Sequence, residues 1–171
     1  MTTLQDKTAL VTGASRGIGR ATAAALARAG AHVLVHYGHS AQEAESLVSE
    51  IQAKGGRANA ISADLGTPNG AALLAEQVRS IVGDRLDVLV LNAGISKSAR
   101  IADYTVEDFD NLFATNVRSP FFLVQQLLPV LGKPEKPSKA ALLSRTSAQR
   151  IPSSARSFNR EYSAASTRIA T

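Results

Sequence analysis

Apolar residues are arranged along this chain in two alternating patterns. Short uninterrupted runs are typical of parallel strands that are covered on both faces, and they are too short for helices. Longer stretches have helical spacing, as in Ala44, Leu47, Val48 and Ile51. The two patterns predict strands over residues 8–11, 32–35, 58–62 and 86–91, and helices over residues 18–29, 41–54 and 68 to about 82.

A further helix is predicted over residues 106–131, with interruptions at Pro120 and Pro129. Four strand–helix units in succession predict an α/β fold of three layers, a Rossmann-like doubly wound parallel sheet with right-handed crossovers. Such sheets bind ligands at the carboxyl ends of their strands. We therefore expect the chemistry in the loops over residues 13–19, 37–40, 63–65 and 92–94.

The first of these loops is rich in glycine. Residues 12–19 read Thr-Gly-Ala-Ser-Arg-Gly-Ile-Gly and lie between the first predicted strand and the first predicted helix. Glycine permits close backbone approach, and the helix start supplies free N–H groups and a positive dipole end. The loop is interpreted as a phosphate cradle, and a tight strand–helix turn is the alternative.

Composition limits the classes of function. The 171 residues are 44% hydrophobic, without a stretch long enough for a membrane span or a signal-peptide layout at the start. The absence of cysteine excludes disulfides and thiolate metal sites and fits a cytoplasmic protein. We expect neither a membrane nor a metal partner.

The net charge of +5 is concentrated at one end. Residues 1–132 hold 11 basic and 12 acidic side chains, whereas residues 133–171 hold 8 basic and 2 acidic ones. The basic segment lacks interleaved aromatic residues and a recognisable reader motif, so nucleic acid is not expected as a partner. We interpret residues 1–132 as a nucleotide-binding domain and residues 133–171 as a divergent tail rich in serine and arginine.

The T-G-x-x-x-G-x-G spacing of the loop resembles the cofactor loop of the short-chain dehydrogenase/reductase family, and the resemblance extends over residues 4–131. It implies that the protein binds a nicotinamide dinucleotide. The residues it assigns to this loop are Gly13, Ser15, Arg16, Gly17, Ile18 and Gly19.

Two other strand ends carry the same resemblance. In the family, residues at the places of Asp64 and Leu65 contact the adenine, the first through its side chain and the second through its backbone. Capping of the next helix is the alternative role for Asp64. The triplet Asn92, Ala93 and Gly94 is similar to the end of the family's N-N-A-G signature, in which small residues let the backbone approach the cofactor ribose.

The second strand end favours NADP over NAD. NAD sites of this type place a carboxylate there, but residues 36–40 read His-Tyr-Gly-His-Ser. Arg16 offers a cation for a 2′-phosphate instead. His36 and His39 are interpreted as surface or phosphate-facing histidines rather than as a metal pair, because a third ligand is missing.

Asn116 is predicted to lie at a helix break. Pro120 has no N–H to donate to the carbonyl of Asn116, so that carbonyl is left free and the helix should kink. The resembled family has a helix-breaking Asn 24 residues after the Asn of its signature, as Asn116 follows Asn92 here. The resemblance implies that this carbonyl holds a water in a proton relay, and a plain kink is the alternative.

Beyond residue 131 the sequence departs from the family, which continues with a catalytic Ser and then Y-x-x-x-K. The candidates are Ser147 and Tyr162, and Ser166 stands where the lysine is expected. A neighbouring ammonium would lower the pKa of the tyrosine, so its loss should slow the proton step. We interpret the tail as a remnant of the catalytic strand and helix in a truncated or frame-shifted chain.

Three functions remain open. The leading hypothesis is an oxidoreductase that passes a hydride between NADP(H) and a small-molecule carbonyl or secondary alcohol, working as a homo-oligomer as family members do. A catalytically silent fragment that binds the dinucleotide is the second. An interaction module that uses the basic tail is the third.

Overall fold

A four-stranded parallel sheet forms the centre of the protein, and the computed structural model describes residues 4–132. The strand order is β3-β2-β1-β4, so the chain moves outward from β1 to β3 and then returns to pair β4 with the other side of β1. The strands are β1 (Thr8–Val11), β2 (His32–Tyr37), β3 (Arg57–Ser62) and β4 (Val88–Val90).

Helices connect the strands. They are α1 (Gly17–Arg28), α2 (Ala41–Ala53), α3 (Gly70–Val82), α4 (Val106–Phe113) and α5 (Ser119–Leu127). A π-helical turn, Ala114–Arg118, joins α4 to α5, and a short 3-10 turn, Ile101–Asp103, precedes α4.

Both faces of the sheet are buried. Because successive side chains of a strand point to opposite faces, Val33 and Val35 pack in the core beneath α1 and α2, whereas Leu34 packs in the core beneath α3 and α5. The three-layer, Rossmann-like doubly wound sheet is therefore confirmed, and the carboxyl ends of all four strands lie along one edge.

Asp87 fixes the start of β4 against β1. Its carboxylate accepts a hydrogen bond from the Thr8 N–H at 3.0 Å and pairs with Lys7 and Arg85. Partial burial acts to raise the pKa of this carboxyl, but the Thr8 N–H and the two cations outweigh it and hold the pKa below its usual value.

Several predicted boundaries move. β2 continues two residues past Val35, and β4 is shorter than the run over residues 86–91. α3 begins at Gly70 rather than at Pro68, because residues 65–69 form turns instead of helix. A Cβ on Gly70 would lie 1.9 Å from the carbonyl oxygen of Asp64, so a side chain is excluded there.

The predicted helix over residues 106–131 is broken into α4, the π-helical turn and α5. Pro120 lies in the first turn of α5, where its missing N–H is tolerated, and α5 ends before Pro129. Within residues 4–132, no helix is both long enough and apolar enough to cross a membrane. The predicted domain limit at residue 132 coincides with the end of the described residues and stays a prediction.

Candidate functional site

The glycine-rich loop closes tightly onto the end of β4. Gly13 has a φ of +61°, and a Cβ there would lie 2.8 Å from the Cα of Ala93. A Cβ on Gly19 would lie 2.2 Å from the carbonyl oxygen of Gly13 and 2.4 Å from the Nδ2 of Asn92. Side chains at these two positions are therefore excluded by the protein itself.

Gly17 has a different environment. Its φ is +57°, but no described atom lies within 4 Å of the place a Cβ would occupy. The open space adjoins the first turn of α1, whose N-cap is Arg16. Among the described residues no side chain caps this helix end, and its first turn contains no acidic residue. Free N–H groups at a positive dipole end beside open space form a cradle that fits a phosphate group.

Thr12 and Asn92 join the loop to β4. The hydroxyl of Thr12 accepts hydrogen bonds from the N–H groups of Asn92 at 2.9 Å and Ala93 at 3.0 Å, and it donates to the carbonyl of Val90 at 3.3 Å. The Asn92 amide donates in turn to the carbonyls of Thr12 and Gly13, at 3.0 Å each. These bonds bring two predicted site segments, residues 13–19 and 92–94, into direct contact.

The remaining residues of the loop divide by exposure. Ser15 is buried, whereas Arg16, Gly17 and Ile18 are exposed toward solvent. Arg16 is therefore in a position to contact a ligand at the start of α1.

Thr12 begins the motif and supports the loop through its hydrogen bonds, but the site prediction does not include it.

His36 is a correction to the sequence prediction. It is neither a surface nor a phosphate-facing residue: only 2% of it is exposed. Its Nδ1 accepts a hydrogen bond from the Gly13 N–H at 3.1 Å, and its Nε2 donates to the carbonyl of Ala63 at 3.0 Å. The prediction was wrong because β2 continues to Tyr37, which places His36 inside the sheet opposite Ile61. Burial lowers the pKa of this imidazole to about 4.

His39, by contrast, is exposed, as predicted. Its Nε2 lies 3.9 Å from the Oδ2 of Asp64. These two side chains belong to the loops that follow β2 and β3, so the ends of both strands lie close together beside the glycine-rich loop.

Asp64 does not cap α3, because Asn69 precedes that helix. Its Oδ1 accepts the N–H of Gly66 at 2.8 Å, which forms a local turn, and the carboxylate is exposed. Leu65 is buried, and its carbonyl accepts a hydrogen bond from the hydroxyl of Ser119. The Asp64 carboxylate thus takes part in a local turn while it stays exposed toward solvent.

Asn116 lies in the π-helical turn, so the α-helix is interrupted at this residue, and the free carbonyl stays a prediction. Its side chain anchors the loop after β4: Oδ1 accepts the Ile95 N–H at 2.9 Å and Nδ2 donates to the Ile95 carbonyl at 2.8 Å. A Cβ on Gly94 would lie 3.2 Å from the Asn116 Oδ1, so the backbone passes close to the amide.

A second anchor holds the far end of that loop. Thr105 and Asp108 form a capping box at the start of α4, and the Asp108 carboxylate also binds the Lys97 ammonium at 2.5 Å. Hydrogen bonds from Lys97 and from the Thr105 backbone and hydroxyl lower the pKa of Asp108 to about 2. Tyr104 donates to the Lys97 carbonyl. The T-x-x-D spacing could have indicated this cap from the sequence.

A cavity of about 860 Å³ lies beside the carboxyl end of β4. The polar side chains on its wall include Asn92, Lys97 and Asn116, and the apolar part of the wall includes Leu112, Phe121, Val124 and Leu128.

Three predicted positions lie outside the described residues. They are the candidates Ser147 and Tyr162, and Ser166 at the place where the lysine is expected.

Comparison with known proteins identifies a family. The family model described as short chain dehydrogenase matches residues 7–163, which extends beyond the described residues and includes the positions of Ser147 and Tyr162.

Similar proteins include reductases of fungi. Versicolorin reductase 1 of Aspergillus parasiticus is 47% identical over 124 residues, which cover 72% of this chain and 47% of that protein. A hydroxynaphthalene reductase of Aspergillus fumigatus is 46% identical over 123 residues, which cover 71% of this chain and 44% of that protein. The chain spans about half the length of the curated relatives it matches.

Solved structures agree with the fold. The landomycin C-6 ketoreductase LanV, with bound NADP and rabelomycin, is 44% identical with a TM-score of 0.71, and the match covers 75% of this chain and 54% of that one. A short chain dehydrogenase from Burkholderia cenocepacia in complex with NADP is 43% identical with a TM-score of 0.72, and the match covers 75% of this chain and 52% of that one.

Proposed function

The chain belongs to the short-chain dehydrogenase family, and from that premise we propose that it is an NADP(H)-dependent oxidoreductase acting on a small-molecule carbonyl or secondary alcohol. The observation that carries the proposal is the phosphate cradle: open space above Gly17, at the uncapped start of α1, in a loop that Thr12 and Asn92 hold against β4.

The residues proposed to hold the cofactor come from three strand ends. The N–H groups at the start of α1 would bind its phosphates, Asp64 and the backbone of Leu65 its adenine, and the close backbone after β4 its ribose. When bound, NADPH supplies a hydride to the carbonyl carbon of a substrate. The full proposed set is Gly13, Ser15, Arg16, Gly17, Ile18, Gly19, Asp64, Leu65, Asn92, Ala93 and Gly94.

Three observations favour NADP over NAD. Residues 36–40 present no carboxylate that would repel a 2′-phosphate, and Arg16 is exposed at the rim of the cradle. LanV and the Burkholderia cenocepacia dehydrogenase were both solved with NADP. We expect the dissociation constant for NADPH to be at least about tenfold lower than that for NADH, because a charge-assisted contact to phosphate contributes about 1.5–3 kcal/mol.

Catalysis is assigned to three residues. Tyr162 would donate a proton to the substrate oxygen, Ser147 would hold that oxygen, and the carbonyl of Asn116 would hold a water that restores the proton. The family match through residue 163 includes all three positions. A free tyrosine has a pKa of about 10, so with Ser166 in the place of the lysine this proton step should be slow near pH 7.

The cavity favours a bulky apolar substrate. Leu112, Phe121, Val124 and Leu128 supply apolar surface beside Asn116, and the similar reductases are named for versicolorin and hydroxynaphthalene. We therefore propose aromatic ring ketones as the substrate class. A panel that compares such ketones with short aliphatic ketones tests the choice.

Assembly into a homo-oligomer is proposed on the exposed face of α4 and α5. The rings of Phe109 and Phe113 stack with centroids 4.2 Å apart, yet about half of each residue is exposed, and Val117 and Phe122 are exposed as well. Large exposed apolar patches mark interaction sites. Sedimentation of the full chain tests this assembly.

We also propose a cytoplasmic location, because the lack of cysteine fits a reducing compartment.

The deciding experiment is a titration of the full chain with NADPH, followed by a carbonyl panel in which NADPH consumption is measured. Binding with turnover supports the proposal. Binding without turnover indicates a silent nucleotide-binding protein, and a Ser166→Lys variant that gains activity would identify the lysine as the missing part. No binding at all contradicts the proposal and favours an interaction module that uses the basic tail.

A further inference from the structure

His36 is the one histidine among the described residues that is completely enclosed, and the proposed chemistry gives it no part. It is the second-last residue of β2, the strand that lies between β1 and β3. We infer that His36 is a positioning residue of the cofactor site and that its side chain fixes the glycine-rich loop to the end of β3. This inference rests on the cofactor binding proposed above.

Three hydrogen bonds of His36 meet the two segments. Its Nδ1 accepts from the Gly13 N–H at 3.1 Å, and its backbone carbonyl accepts from the Ala14 N–H at 2.8 Å. Its Nε2 bonds the carbonyl of Ala63 at 3.0 Å, immediately before Asp64. The first two bonds hold the start of the phosphate cradle, and the third holds the residue that leads to the proposed adenine contact.

The partners specify the tautomer. A backbone N–H can only donate, so Nδ1 must present a lone pair to Gly13, and a carbonyl can only accept, so Nε2 must carry the hydrogen that Ala63 receives. One neutral form of imidazole satisfies both contacts at once. An aliphatic side chain would leave both backbone groups buried without these partners.

Gly13 is held from both sides. His36 takes its N–H and Asn92 donates to its carbonyl at 3.0 Å, in a residue whose φ of +61° is reached easily only by glycine. With both backbone groups bound, the loop is in place before a ligand arrives, so less ordering opposes binding. The Ala63 contact acts in the same way on the adenine side.

Two conservative variants separate the two contacts. In His36→Asn, the amide oxygen stands where Nδ1 stood, so the Gly13 bond is kept and the Ala63 bond is lost. In His36→Gln, the amide nitrogen reaches toward the place of Nε2, so the Ala63 bond is kept and the Gly13 bond is lost. His32→Gln is the matched control, because His32 lies at the other end of β2 and bonds Asn59.

The full-length variants are titrated with NADPH and with adenosine 2′-phosphate, and their thermal midpoints are compared. We expect His36→Gln to weaken NADPH binding by about tenfold, the effect of one buried hydrogen bond to the cradle. His36→Asn should weaken the binding of NADPH and of adenosine 2′-phosphate by the same factor, about threefold, because both ligands carry the adenine. The His32→Gln variant should bind both as the wild type does.

The inference is overturned if both His36 variants lose NADPH affinity equally and only in proportion to their thermal midpoints, since that is the result of a purely structural role. Unchanged binding in both also overturns it. A wild type that fails to bind NADPH contradicts the proposed function itself, whereas wild-type binding with unaffected variants contradicts only the role of His36.

Two measurements on the wild type need no variant. Nitrogen-15 spectra of the histidine ring near pH 7 should show the Nε2–H tautomer for His36, and the Nδ1–H tautomer would overturn the inference. In hydrogen exchange without cofactor, the Gly13 amide should be protected like the amide of Leu34 in β2, because it is already bound. Rapid exchange that slows only on addition of NADPH would show that the loop is not positioned beforehand.

Discussion

The side-chain amide of Asn116 pairs with both backbone groups of Ile95, with 2.9 Å between Oδ1 and the N–H nitrogen and 2.8 Å between Nδ2 and the carbonyl oxygen. Asn116 lies in the π-helical turn, and Ile95 follows the Asn92–Gly94 triplet. The pair therefore connects the helix break to the loop that borders the cavity. The helix break and the strand end act as one structural unit.

Replacing the side chain of Asn116 should therefore disturb the loop after β4 directly and any proton transfer only indirectly. We expect Asn116→Ala to lower the free energy of unfolding by about 1–2 kcal/mol, because two partly exposed hydrogen bonds are removed. If the enzyme is active, kcat should fall as well, because the backbone after β4 is no longer fixed. Unfolding curves and NADPH consumption measure the two effects.

Asn111→Ala is the control for Asn116→Ala. Asn111 is exposed on α4, and its side chain makes no hydrogen bond to residues 4–132. It should leave both measurements unchanged. Equal loss in the two variants would mean that helix stability, rather than the Ile95 contact, explains the result.

Arg16 supplies the second prediction. Because it is exposed at the start of α1, Arg16→Ala should raise the dissociation constant for NADPH by about tenfold and leave that for NADH almost unchanged. Arg28→Ala changes the same residue type at the other end of the helix and should affect neither. An equal loss for both cofactors would place Arg16 at the shared phosphates instead of the 2′-phosphate.

Much of this site was predictable because its determinants are local. The three glycines, the missing N–H of Pro120 and the ends of β1 and β3 can be recognised from short stretches of sequence, and the sheet order then brings them together. The break at Asn116 follows from a single proline nearby.

The features that were missed depend on strand pairing and on a local turn. His36 looks like a loop residue until β2 is seen to continue to Tyr37 beside β3, and only then does burial follow. Proline favours a first turn, which predicts that α3 starts at Pro68, but the chain stays in turns over residues 65–69 and the helix begins at Gly70. Strand pairing is tertiary and the turn before α3 is set by its backbone contacts, so hydrophobic periodicity reveals neither.

Gly17 and Gly55 form a matched pair for the third prediction. Both have left-handed backbone, with φ of +57° and +78°, and both have open space where a Cβ would be. Gly17→Ala and Gly55→Ala should each lower the free energy of unfolding by about 1 kcal/mol, because alanine is strained in that conformation.

Only Gly17→Ala should also weaken NADPH binding, since its methyl group would project into the proposed cradle, whereas Gly55 lies between α2 and β3. Calorimetric or fluorescence titration of both variants measures this difference. If the two bind NADPH equally well, the cradle is not where the phosphates bind.

The last prediction concerns pH. The pKa of His36 is about 4 in the folded chain, against an ordinary value of 6.5. As the pH falls below 6.5, the His36 imidazole binds a proton in the unfolded chain but stays neutral in the folded chain. The free energy of unfolding therefore declines until the pH reaches about 4. The difference corresponds to about 3 kcal/mol of unfolding free energy at most, at about 1.4 kcal/mol for each pKa unit.

Denaturant unfolding at pH 7 and at pH 5 measures this decline, and the same pair of measurements on His36→Asn isolates the contribution of the imidazole. The carboxyl of Asp108, whose pKa is lowered from 3.8 to about 2 by Lys97 and Thr105, keeps its stabilising contacts throughout this window and loses them only at lower pH. We therefore expect the wild type to lose more stability than His36→Asn between pH 7 and pH 5. If both lose the same amount, protonation of His36 is not what destabilises the fold, because the variant has no imidazole at this position to protonate.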